Sequence, residues 1–135
     1  MYDGTLFASP MKTLLLALLL VTGSAEAEWV QVGEGASHYK YIDPETIRRD
    51  GNFRKVWEIN DYKQRQKTGN LSNQMRSEYD CKQERYRFLS ISLHSGPMLG
   101  GTTLYSADYT RPPDDWREIP PGSLSDIVLK IVCAQ

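Results

Sequence analysis

The stretch PPGSLSDIVLKIVC, residues 120–133, decides the fold. Pro120, Pro121 and Gly122 break any strand that precedes them. Ser123 is a good N-cap, and Asp126 three residues later completes a capping box with Asp in place of Glu. Leu124, Ile127, Val128, Ile131 and Val132 then fall on one helical stripe. Ser125, Asp126 and Lys130 lie off the stripe, the acid near the helix start and the base near its end, as the macrodipole favours. A helix this short is marginal alone in water, so it must dock. Cys133 points away from the stripe on an ideal helix. Either the last turn unwinds or the cysteine lies just beyond it.

Upstream, the chain reads as strands. Residues 28–32 (EWVQV) alternate, and Gly33-Glu34-Gly35 turns the chain. Residues 37–42 form a second strand, with Tyr39 and Tyr41 on one face. Asp43-Pro44-Glu45 opens a helical turn under which Ile47 tucks. Asp50-Gly51-Asn52 is a hairpin signal, and residues 53–62 are the third strand. Residues 63–73 read as a flexible polar loop. The fourth strand, 74–82, puts Met75, Ser77, Tyr79 and Cys81 on the apolar side and Arg76, Glu78 and Asp80 on the other. Residues 85–93 and 102–109 are the fifth and sixth strands, separated by a mobile turn between Gly96-Pro97 and Gly100-Gly101. Pro112-Pro113 ends the sixth, and residues 116–119 lead into the helix. The fold class is therefore α+β: an antiparallel meander of about six strands with one C-terminal helix packed on it and disulfide-linked.

At 135 residues the chain is one domain. Its net charge of −1 and pI near 6.1 give no global pull toward nucleic acid. Residues 1–27 read as a signal peptide: Lys12, an apolar run over 14–21, and the small-x-small site Ala25-Glu26-Ala27. The run is too short to span a membrane. Met11 is the better start. The mature domain is then 28–135, with basic and acidic side chains in equal number. An exported chain whose only cysteines are Cys81 and Cys133 most simply forms one disulfide; the rival reading is two free thiols.

No catalytic set stands out. His38 and His94 show no ligand spacing with the cysteines and read as strand-surface residues, so neither a metal nor another cofactor is expected. No nucleophile-elbow motif occurs. Asp114, Asp115 and Glu118 read as a solvated acidic knot beside Trp116, and Asn70-Leu71-Ser72 as a chance glycosylation match. The clearest asymmetry is basic. Between 48 and 67 seven basic residues face three acidic ones. Arg48, Arg49, Arg54, Lys63, Arg65 and Lys67 form a candidate patch for an anionic glycan or an acidic protein surface, set against the plainer reading of a solvated face.

Taken in order, these residues resemble the surface-adhesin protein E family. The marks are Trp29, Tyr41-Ile42-Asp43-Pro44 with Ile47-Arg48-Arg49, Trp57, and Ser77-Glu78-Tyr79-Asp80-Cys81. Arg85-Tyr86-Arg87-Phe88, Trp116, Pro121-Gly122-Ser123 and Val132-Cys133 follow. The resemblance implies a sheet of about six strands with a C-terminal helix tied to it by a Cys81–Cys133 disulfide. It also implies a non-catalytic, exported binding module of the bacterial envelope, with a host matrix protein among its partners. The family's namesake is lipid-anchored. Here no cysteine stands near the cleavage point, so no lipid anchor is expected, and the location is periplasmic or secreted with surface display left open. The alternative is a soluble periplasmic inhibitor or ligand carrier. A homodimer is compatible with either reading.

Overall fold

A computed structural model describes residues 27–109 and 115–135. All but the last residue of the expected signal peptide lies outside these, as do Arg111, Pro112, Pro113 and Asp114. The strands are β1 (Val30–Glu34), β2 (His38–Asp50), β3 (Phe53–Tyr62), β4 (Ser72–Asp80), β5 (Arg85–His94), β6 (Thr103–Asp108) and the two-residue β7 (Arg117–Glu118). Helix α1 spans Leu124–Cys133. β1 to β6 pair antiparallel in chain order, the meander expected from the sequence, and β7 adds beside the start of β5.

Four features differ from the sequence reading. β1 runs on through Glu34, so Gly33 lies inside the strand at a bulge. A Cβ on Gly33 would come within 2.6 Å of the Leu124 Cδ2 atom, so this glycine permits close approach of α1 rather than a turn. The helical turn expected at Asp43-Pro44 is instead a register break within β2, between Asp43 and Arg48. There the Asp43 carboxylate accepts from the Glu45 N–H at 3.1 Å. The Thr46 hydroxyl donates to the Asp43 carbonyl at 2.7 Å and accepts from the Trp57 N–H at 3.0 Å. Side chains thus stand in for the ladder bonds that Pro44 cannot make. The loop before β4, expected to be flexible, is closed by hydrogen bonds. Arg65 Nη1 donates to the carbonyls of Gly69 at 2.8 Å and Ser95 at 2.9 Å. The turn expected to be mobile is a 3-10 turn, Pro97–Leu99, pinned to the sheet. The Met98 N–H donates to the Asp61 carboxylate and the Leu99 N–H to the Ser72 hydroxyl.

Helix α1 is capped as its sequence predicts. The Asp126 N–H donates to the Ser123 hydroxyl at 3.2 Å. The return arm of the box falls on the Gly122 N–H, which donates to Asp126 Oδ2 at 2.8 Å. The core is Ile42, Val56, Tyr79, Val128, Leu129 and Val132. Leu129 therefore joins the expected stripe, while Leu124, Ile127 and Ile131 are only half-buried. This rotation places Cys133 about 40° from Leu129 around the helix axis. Cys133 is then the last helical residue and bonds to Cys81, with Cα atoms 5.8 Å apart. The helix neither unwinds nor ends before it.

Candidate functional site

The sheet has two unlike faces. On the helix side, β2 and β3 place Lys40 and Glu58 beside Ile42 and Val56, and all four are buried. Lys40 Nζ lies 3.3 Å from Glu58 Oε1. This is a charge contact without an aligned hydrogen bond, since that oxygen has no hydrogen-bond partner. The Tyr79 hydroxyl donates to Glu58 Oε2 at 2.9 Å. Burial, and then the Glu58 charge, push the Tyr79 phenol well above its ordinary value. The three residues line a cleft of about 310 Å³ beside the start of α1, together with His38, Tyr86 and Glu118. Burial, and then Lys40, hold the His38 imidazole below its ordinary value. Glu58 directs both oxygens at neighbouring protein groups. The set therefore behaves as a closed structural triad inside a small cleft.

Among the described residues the opposite face carries no α-helix. Trp57, Arg76, Ser90 and Asp108 stand opposite one another across β3, β4, β5 and β6. On one side of this row lie Gln74, Ser92 and Ser106; on the other lie Lys55, Glu78 and Arg87. Two depressions that share Asp108 follow these rows. One, of about 270 Å³, holds Trp57 and the serines. The other, of about 410 Å³, holds Lys55, Arg76, Glu78, Arg87 and Tyr109. The two adjoin at Asp108 and are taken together as the trough. The Arg87 guanidinium neutralises Glu78, with Nη2 at 2.7 Å and Nε at 2.9 Å from Oε1. Among the described residues Lys55 and Arg76 have no ion-pair partner. The Ser90 hydroxyl is buried without a hydrogen-bond partner. Both ends of this face are closed off. The 3-10 turn covers one end, and Trp116 covers the other, stacked on Phe53 at 5.9 Å under the guanidiniums of Arg85 and Arg87.

The basic patch read from the sequence does not form one surface. Arg48 and Arg49 lie at the Gly51 hairpin, opposite Lys55 and Arg54, whereas Lys63, Arg65 and Lys67 follow the far end of β3. Ten strand residues separate these ends by about 30 Å. Arg54 is buried, and its guanidinium donates to the carbonyls of Gly51, Phe53 and Gln135. Lys63 pairs with Glu34 at 2.5 Å. His94 meets the Ser92 hydroxyl at 2.8 Å and is held below its ordinary value by burial. Asn70 is buried, which removes it as a glycan acceptor. The sequence reading passed over Trp57, Arg76 and Lys55 as a set, although the alternation of β4 already placed Arg76 on the side away from Cys81. Among the described residues no cluster of His, Cys, Asp and Glu could hold a metal, and no helix is long and apolar enough to cross a membrane.

A profile of the family described as Surface-adhesin protein E matches residues 29–134. Two crystal structures of Haemophilus influenzae protein E have the same fold. One superposes with a TM-score of 0.58 at 12% identity, covering 84% of this chain and 91% of that one. The other gives 0.56 at 13% identity, covering 84% and 92%. No curated protein sequence matches the chain.

Proposed function

The chain belongs to the surface-adhesin protein E family, and from that premise we propose that it is an exported, non-catalytic binding module of the bacterial cell envelope that takes its ligand on the helix-free sheet face. The family match over residues 29–134 carries the reading. The arrangement of the faces supports it: α1 and the disulfide occupy one side, and a trough with an aromatic wall and two cations without ion-pair partners among the described residues occupies the other. The disulfide suits an oxidising compartment outside the cytosol. A host matrix protein is the expected partner class, by analogy with the family's adhesin role. Labelling intact cells with a membrane-impermeant reagent, alongside a periplasmic extract, tests the location. The purified domain applied to immobilised extracellular-matrix proteins tests the activity. Labelling on whole cells together with matrix binding is the expected result; release with the periplasm alone and no matrix binding would refute surface adhesion.

The second reading, a periplasmic inhibitor or ligand carrier, draws on the cleft at the start of α1. That cleft has apolar walls of Tyr86, Phe88, Pro120 and Leu124 over the buried Lys40 and Glu58; these charges are already engaged with each other and with Tyr79, so the trough reading is preferred.

A further inference from the structure

We infer that the trough is a site for an acidic saccharide, with the sugar ring on Trp57 and its carboxylate or sulfate on Lys55 and Arg76. The inference rests on the reading above that the helix-free face binds ligand, and it names the ligand's chemistry. The two halves of the trough differ in a way that one kind of molecule satisfies. In one half, the half-buried indole of Trp57 stands beside Gln74, Ser90 and Ser106. An aromatic face bordered by hydroxyls and an amide suits a pyranose, whose C–H groups lie on the ring while its hydroxyls find partners around the rim. The exposed Ser106 hydroxyl and the Gln74 amide supply such groups. In the other half, Lys55 and Arg76 are cations without ion-pair partners among the described residues, while Arg87 is already committed to Glu78. Rows on one face of a strand repeat every two residues, about 7 Å, which is the span of one sugar ring and its pendant acid group. Asp108 at the junction can accept from a sugar hydroxyl and disfavours an anion placed over the serine half.

The test is calorimetric titration of the mature domain with a hexasaccharide carrying glucuronate at every second sugar. Its sulfated counterpart and neutral maltohexaose serve as comparisons, and K55A/R76A, Trp57→Ala and Trp57→Phe as variants. Binding of either acidic hexasaccharide but not of maltohexaose is expected. It should weaken about tenfold or more in K55A/R76A and with added salt, and Trp57→Phe should retain more affinity than Trp57→Ala. Unchanged melting temperature in K55A/R76A makes its loss of binding a site effect. No binding of either acidic hexasaccharide by the unaltered domain, or equal affinity in K55A/R76A, overturns the inference. Should matrix-protein binding persist and depend on Arg76 in that case, the face still binds ligand and only the saccharide assignment fails. Should both fail, the reading of the face fails with it.

Discussion

At the scale of single residues, the most consequential group is the buried triad of Lys40, Glu58 and Tyr79. Glu58→Gln leaves the Lys40 ammonium buried without its counter-charge, so it should lower unfolding stability by about 3–5 kcal/mol. K40M/E58Q removes both charges and keeps an acceptor for the Tyr79 hydroxyl, so it should recover much of that loss. Urea denaturation of both variants checks this; equal losses would mean that the pair is not coupled. The triad also sets a pH limit. The Tyr79 phenol titrates well above its ordinary value of 10.0 in the folded protein, because burial, and then Glu58, oppose its ionisation. In the unfolded chain it ionises near 10. The folded state therefore holds more protons above that pH. Stability is intact below about pH 10 and falls as pH rises toward the folded value. Melting temperatures should hold from pH 8 to about 10 and decline above it, and Tyr79→Phe should flatten the decline. At the acid end the sign reverses. The Gly122 N–H, then Lys130, lower the Asp126 carboxyl despite some desolvation. Its contribution is present above about pH 4 and is lost as pH falls through the lowered value; Asp126→Asn should remove that acid dependence.

At the scale of elements, α1 and the disulfide together hold the C-terminus on the sheet. Val128 and Val132 are fully buried against Ile42, Val56 and Tyr79. Val128→Asp should therefore release the helix, seen as new protease cleavage near residue 124, while Lys130→Glu on the exposed side should not. Removing the Cys81–Cys133 bond, which spans a separation of 52 residues, should cost up to about 4 kcal/mol. A double-serine variant with unchanged melting temperature would count against that staple. Much of this level was legible in the sequence. β3 is legible to the residue, because the Asp50-Gly51-Asn52 turn, where Gly51 takes a positive φ, marks its start and the polar run from Lys63 marks its end. Ser123 announced the helix. What misled was Asp43-Pro44. A capping aspartate before proline opens a helix or bridges a strand bulge with the same side-chain chemistry, and only the ladder to β3 decides between them. Lys40 and Glu58 share parity with Ile42 and Val56, so their burial was readable in outline, but their pairing required the β2–β3 register.

At the scale of the whole molecule, function follows from which face is covered. The basic patch failed as a surface because charges counted along the chain ignored strand length: β3 carries Arg54 and Lys63 to opposite ends. The trough was hidden for the converse reason. Trp57, Arg76, Ser90 and Asp108 come from four strands and meet only through register. The family match supplies a class of function, and the architecture offers a candidate place for it. The measurement that tests this most directly is binding of the mature domain to immobilised extracellular-matrix proteins, comparing Arg76→Glu in the trough with Lys130→Glu on the exposed side of α1. Both variants should keep the fold. The unaltered domain should bind, Arg76→Glu should abolish binding, and Lys130→Glu should leave it intact. Intact binding in Arg76→Glu with loss in Lys130→Glu would instead place the ligand on the helix side and rule out the trough.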